Sequence, residues 1–197
     1  MKKSIVFPMR YDNMIAITNG LSELDHRHIL DSINLRYPVS VSMSVASGRT
    51  PYDVEKYATE LLNDIEGPVL RIGSLAKIGD TIQIAHMDIN NVTEHTNRNA
   101  YLSYDKIISV YHELIHELGK KGALVFYMGG DNFIAPCNGL NKKDFQRVFK
   151  SIKKKLDISL KAGIGIHTSA EDATRLASIG LKEIRNGLKD NVIVREK

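Results

Sequence analysis

The chain has 197 residues, room for one ordinary domain or two small ones, and its 43% hydrophobic and 25% charged composition excludes a disordered chain. A net charge of +4 suits an anionic small molecule but falls short of a polynucleotide-binding patch, and the single cysteine, Cys137, excludes an internal disulfide. No stretch reaches the roughly 20 apolar residues of a membrane span, and the apolar run after Lys2-Lys3 is too short for a signal peptide. A cytoplasmic protein without a membrane partner is therefore expected.

In chain order, periodicity predicts strands at Ile5 to Met9 and Met14 to Thr18, a helix from about Glu23, a strand at Val39 to Val45 and a helix opening at Pro51. The stretch 67–80, with Gly67, Pro68, Gly73 and Gly79, reads as a linker. Next come a strand over Ile82 to Ile89 and an amphipathic helix over Tyr104 to Leu118. Gly119 and Gly122 bracket the following turn. Ala123 to Met128 and Phe133 to Pro136 form two strands around the turn Gly129-Gly130-Asp131-Asn132. Asn141 caps a helix running to about Leu156, Ser159 to Ile166 is a largely apolar strand, and Ser169 caps a helix from Ala170 to about Asn186. Val192 to Val194 makes a last short strand. Residues 81–197 thus spell βαββαβ with an αβ appendage.

The segment Ile5 to Leu21 lies over Leu124 to Leu140 without a gap, Asp12-Asn13 falling on Asp131-Asn132, and the same offset pairs Ser32-Ile33 with Ser151-Ile152. Sustained identity at one offset is duplication. Residues 1–66 are a degenerate first repeat: its first strand and helix are missing, and Arg10 and Tyr11 replace both turn glycines. Another element is expected to complete its sheet, unless the chain is truncated. The fold class is α+β: tandem ferredoxin-like (βαββαβ) palm domains, each an antiparallel sheet with helices on one face.

Asp88 closes one strand and Asp131 sits on the turn of its neighbour, so the two carboxylates converge. Two such groups repel unless a cation lies between them, and hard oxygen ligands select Mg²⁺ or Mn²⁺. Gly129 and Gly130 let a phosphate approach backbone N–H groups. Cation and phosphate together make a nucleoside triphosphate site. His86 lies on the face of Asp88 by alternation, where a structural role outweighs an acid–base one.

Gly-Gly-Asp-Asn between two strands, with Asp-Ile-Asn-Asn on the preceding strand, resembles the palm of GGDEF proteins and class III nucleotide cyclases. The closer resemblance is to the archaeal GTP cyclohydrolase III family of tandem palm repeats. It is carried by Arg10-Tyr-Asp-Asn-Met-Ile-Ala-Ile-Thr-Asn-Gly20, Arg36-Tyr-Pro-Val-Ser-Val-Ser-Met43, Gln83-Ile-Ala-His-Met-Asp-Ile-Asn-Asn91, Met128-Gly-Gly-Asp-Asn-Phe-Ile-Ala-Pro136 and Leu160-Lys-Ala-Gly-Ile-Gly-Ile166. The resemblance implies a metal-dependent hydrolase that opens the guanine ring of GTP and releases two phosphates. It implies Asp88, the Ile89 carbonyl and Asp131 as metal ligands, with Asp88, Asp131 and Asn132 serving catalysis. It also implies Asn90, Asn91, Thr93, Gly129, Gly130, Lys161 and Arg185 as substrate-binding residues, and a homo-oligomer. The alternatives are a non-catalytic GTP-binding module and a nucleotidyl cyclase, although Asn132 stands where cyclases carry an acid.

His112-Glu113-Leu114-Ile115-His116 fits the H-E-x-x-H pattern of zinc peptidases. Helical spacing places both histidines away from the apolar stripe, on the side facing water, where no peptidase cleft can form. The zinc reading is the weakest of the alternatives.

Overall fold

The computed structural model describes residues 4–63, 65–75, 79–90, 99–188 and 190–196. The second repeat builds a five-stranded sheet from β5 (Ile82–Ile89), β6 (Phe126–Gly129), β7 (Asn132–Pro136), β8 (Leu160–His167) and β9 (Val192–Glu196). Its order is β6-β7-β5-β8-β9, antiparallel except for the parallel pair β8 and β9. Between the strands run α3 (Ala100–Gly119), α4 (Lys142–Leu156) and α5 (Ala170–Arg185).

Sequence chemistry sets the helix starts. Asn141 and Asp144 form a reciprocal capping box on α4, and Ser169 caps α5. The two helices of the βαββαβ unit share one sheet face, as expected. Ile107, Val110, Leu114 and Leu118 of α3 and Phe145, Val148, Phe149 and Ile152 of α4 bury Ala85, Met87, Ile89 and Phe133. The appended α5 covers the opposite face. It comes so close that a Cβ on Gly163 or Gly165 of β8 would lie 1.9 Å from the carbonyl oxygens of Ala177 and Ala173, respectively.

The first repeat contributes β1 (Ile5–Pro8), β2 (Met14–Ile17), α1 (Glu23–Arg36), β3 (Met43–Ser47), α2 (Pro51–Leu62) and β4 (Leu70–Ser74). The β1–β2 hairpin and the parallel pair β3–β4 are separate two-stranded sheets. In the second repeat β5 stands between the counterparts of β2 and β3, and no described strand takes that place in the first. The hairpin packs Phe7 against Ile82, Ile84, Phe126 and Ile134, so it shares with α5 the covering of the second sheet face.

Two expectations need correction. The predicted strand Val39 to Val45 begins only at Met43, because the Asn34 side chain occupies both the N–H and the C=O of Val41. The stretch 67–80 is no bare linker: it carries β4, which pairs with β3 as β9 pairs with β8. Among the described residues no helix is long and apolar enough to cross a membrane.

Candidate active site at the palm carboxylates

Asp88, the penultimate residue of β5, faces Asn132 of β7 on one side and Lys161 of β8 on the other. The α5 helix delivers Arg185 over this row from its C-terminal turn. Asp88 is buried, 2% exposed. Its Oδ2 accepts from Arg185 Nε at 2.9 Å and Nη2 at 2.6 Å, and Lys161 Nζ lies 3.1 Å away. Burying a carboxylate demands such pairing, and two cations supply it at one oxygen. The other oxygen, Oδ1, is buried with no hydrogen-bond partner among the described residues.

Asp131 lies on the two-residue loop between β6 and β7. Gly129 and Gly130 adopt φ of 95° and 60°, backbone that residues with a Cβ rarely reach, and the Tyr127 hydroxyl donates to the Gly130 carbonyl at 3.1 Å. A Cβ added at Gly129 would meet nothing within 4 Å among the described residues, so the backbone there offers room for a ligand. Burial raises the Asp131 pKa, and so does the neighbouring Asp88 carboxyl. Two facing carboxylates offer one another no donor, and Asp88 Oδ1 finds none among the described residues. A hard cation placed between them would relieve both.

The Asn132 amide donates from Nδ2 to Asp131 Oδ1 at 2.9 Å and accepts at Oδ1 from His86 Nε2 at 3.2 Å. The other nitrogen of His86 lies 2.9 Å from Ser178 Oγ of α5. Burial lowers the His86 pKa, with Arg185 adding to the effect, while the bond to Asn132 and the charge of Asp88 oppose it.

The structure therefore gathers Asp88, Asp131, Asn132, Lys161, Arg185, Gly129 and Gly130 at one end of the sheet. Ile89 and Asn90 continue the chain from Asp88, and the Asn90 N–H donates to the Ser159 carbonyl. Asn91 and Thr93 lie outside the described residues. Ser178 went unread in the sequence. Its signal is spacing: it stands two turns before Arg185 on the same face of α5.

In the first repeat the equivalent turn opens. Arg10 and Tyr11 do not take up positive φ, and the hairpin closes instead through Met9 N–H to the Asn13 carbonyl at 3.0 Å. Asp12 is exposed and engaged locally with Arg10 and Asn13. His112 and His116 point to solvent and Glu113 pairs with Lys155 at 2.7 Å. No group of three metal-ligating His, Cys, Asp or Glu side chains gathers among the described residues.

A βαββαβ sheet with an acidic pair at the end of its central strand and on the adjoining glycine hairpin defines a palm-type domain. The fold agrees with a diguanylate cyclase/phosphodiesterase structure from Caldicellulosiruptor saccharolyticus, with TM-score 0.51 at 17% identity over 61% of this chain and 81% of that one. The family model described as GTP cyclohydrolase III matches residues 1–197, and the chain belongs to that family of enzymes. It is 46% identical over 197 residues to the GTP cyclohydrolase III of Methanocaldococcus jannaschii, covering 95% of this chain and 74% of that one. To the protein of that name from Methanobrevibacter smithii it is 42% identical over 209 residues, covering 99% and 82%.

Proposed function

We propose that this chain hydrolyses GTP at the Asp88–Asp131 site with a divalent cation, Mg²⁺ or Mn²⁺. The imidazole ring of guanine is opened and two phosphates leave, giving 2-amino-5-formylamino-6-ribosylaminopyrimidin-4(3H)-one 5′-phosphate. Family membership supports GTP as the substrate. The observation that carries the cation reading is the buried Oδ1 of Asp88, without a partner among the described residues, beside a second carboxyl that repels it.

In this reading Asp88, Asp131 and the Ile89 carbonyl hold the cation. When bound it supplies an acidified water and neutralises phosphoryl oxygens. The chain's own residues do the rest. The open backbone at Gly129 and Gly130 receives a phosphate, and Asn90, Asn91 and Thr93 are read as further substrate-binding residues. Lys161 and Arg185 hold Asp88 Oδ2 in the free protein and turn to phosphate oxygens once that carboxylate has another counter-charge. The Asn132 amide keeps Asp131 in place. Ring opening adds one water across the carbon between the imidazole nitrogens, and the formyl group stays on the product. Two further waters release the two phosphates.

Incubation with GTP and Mg²⁺, followed by ultraviolet spectra and a phosphate assay, tests the proposal, with Asp131→Ala as control. Loss of the guanine absorption with two phosphates freed per GTP, abolished in the variant, is the expected result. Pyrophosphate release with an intact purine would point to a cyclase, and binding without turnover to a GTP-binding module.

A further inference from the structure

We infer that His86 and Ser178 are positioning residues that fix the orientation of the Asn132 amide and, through it, hold the Asp131 carboxylate. The inference rests on the reading of Asp88 and Asp131 as the cation site.

His86 stands two residues before Asp88 on β5, on the same sheet face, between Ile134 of β7 and Gly163 of β8. Gly163 has no side chain, and the α5 backbone at Ala177 and Leu181 closes directly over it. Both ring nitrogens are engaged, Nδ1 with Ser178 Oγ at 2.9 Å and Nε2 with Asn132 Oδ1 at 3.2 Å. Such full engagement is more than filling space beneath a helix requires.

Counting donors gives the chain of bonds one direction. A carboxylate only accepts, so the group facing Asp131 Oδ1 is the Asn132 NH₂. The amide oxygen then faces His86 and also only accepts, so Nε2 carries a hydrogen. In the neutral ring Nδ1 is the acceptor, and the Ser178 hydroxyl donates to it. Turning the amide over would set its oxygen against the carboxylate and its NH₂ against Nε2–H, replacing two attractions by two repulsions. The Asp131 carboxylate sets the amide orientation, and His86, with its proton on Nε2, reinforces it. That orientation gives Asp131 a donor on a short turn, where Asp88 pushes it away. Ser178 completes the arrangement from α5, two turns before Arg185, so one helix face steadies both carboxylates.

The test is Mn²⁺ titration by electron paramagnetic resonance without nucleotide, on the full chain. It compares wild type with His86→Gln, His86→Leu and Ser178→Ala, with thermal midpoints and long-range ¹⁵N–¹H spectra of the imidazoles. Losing the partner that orients a ligand costs about 10- to 100-fold in metal affinity. His86→Leu is expected to weaken Mn²⁺ binding about tenfold, at the low end of that range. His86→Gln, whose amide nitrogen reaches the place of Nε2 and keeps a donor there, stays within about threefold, and Ser178→Ala falls between them. His86 in the wild type shows a protonated Nε2. Equal affinity in His86→Leu and wild type overturns the inference. So does a loss in His86→Gln that matches His86→Leu and follows the thermal midpoints, because packing alone would produce it. If His86→Leu fails to fold, His86→Gln and Ser178→Ala decide. No Mn²⁺ binding by the wild type overturns the cation reading instead. The imidazole spectrum then judges the inference alone: a bare Nε2 sinks it, and a protonated Nε2 coupled to Asn132 upholds the amide orientation.

Discussion

Phe7 lies face to face on Phe126, ring centroids 3.9 Å apart and planes 4° from parallel, and the two rings occupy equivalent positions in the two repeats. Contact between equivalent residues is what a two-fold relation between the hairpins requires. The stack seats the first hairpin on β5, β6 and β7 of the palm sheet, beside α5. Phe7 is almost fully buried, so Phe7→Ala removes both the ring stack and the cover over Ile84 and Ile134. It should cost about 3–5 kcal/mol, read as a lower urea midpoint, with Phe7→Leu costing clearly less. Equal midpoints for wild type and Phe7→Ala would mean that the hairpin does not hold this position in solution.

The glycines of β8 set how close α5 comes, and with it where Arg185 and Ser178 fall. Gly163→Ala would drive a Cβ into the backbone of α5, and several kcal/mol of destabilisation, or failure to fold, is expected. Gly180→Ala is the contrasting case. Its Cβ would meet Gly163 and Ile193 no closer than 3.4 Å, an ordinary contact, and alanine favours the helix by up to about 1 kcal/mol. Thermal midpoints of the two variants should therefore move in opposite directions. A tolerated Gly163→Ala would refute the close packing.

Much of this was legible in the sequence because it rests on local chemistry. The caps at Asn141 and Ser169 and the hairpin at Gly129 to Asn132 depend on neighbours within a few positions, and the duplication around Asp12 and Asp131 shows as one fixed offset along the chain. The neighbouring placement of Asp88 and Asp131 followed from alternation plus the βαββαβ order. What escaped depends on partners far along the chain. Nothing near Ser178 says that it reaches His86, because that contact exists only once Gly163 admits the helix. Nothing near Val41 says that Asn34 will take its ladder groups. The strand at Leu70 to Ser74 sits among glycines and a proline that locally favour a loop, and its pairing with β3 overrides that preference. The pattern His112-x-x-x-His116 shows the converse. Five residues matched a motif, yet both rings face water on the solvent side of α3. The double change His112→Ala and His116→Ala should shift stability by no more than about 0.5 kcal/mol and leave GTP turnover intact.

Lys161 and Arg185 share one oxygen of Asp88 in the free protein. A cation on Asp88 and a triphosphate on the two basic side chains therefore favour one another. By reciprocity Mn²⁺ should tighten GTP binding by the same factor as GTP tightens Mn²⁺ binding, on the order of tenfold. Lys161→Met should reduce that factor. It should also cost about 3 kcal/mol, since Lys161 is 16% exposed and its loss strips a buried carboxylate of one counter-ion. Calorimetric titration in both orders of addition measures the coupling. A coupling factor of one in the wild type would show that the cations do not change partners.

Asp131 gives the sharpest test of the repulsion at the site. Burial and the neighbouring Asp88 carboxyl hold its folded-state pKa above the ordinary carboxylate value of 3.8. Between the ordinary and the raised values the native state binds more protons than the unfolded chain. Stability therefore falls as pH rises through that window, and the full penalty is present above it. Asparagine carries no charge, and its side-chain oxygen still accepts from Asn132. Without metal at pH 7, Asp131→Asn should raise the thermal midpoint by about 2 °C. The advantage should shrink as pH falls through the raised value, where the wild-type carboxyl takes up its proton. Saturating Mg²⁺ or Mn²⁺ should reverse the order by stabilising only the wild type, and turnover of GTP should be lost in the variant. An Asp131→Asn protein less stable than wild type at pH 7 without metal would mean that the two carboxylates do not oppose one another as placed here. The unsatisfied oxygen of Asp88 would then need a different explanation.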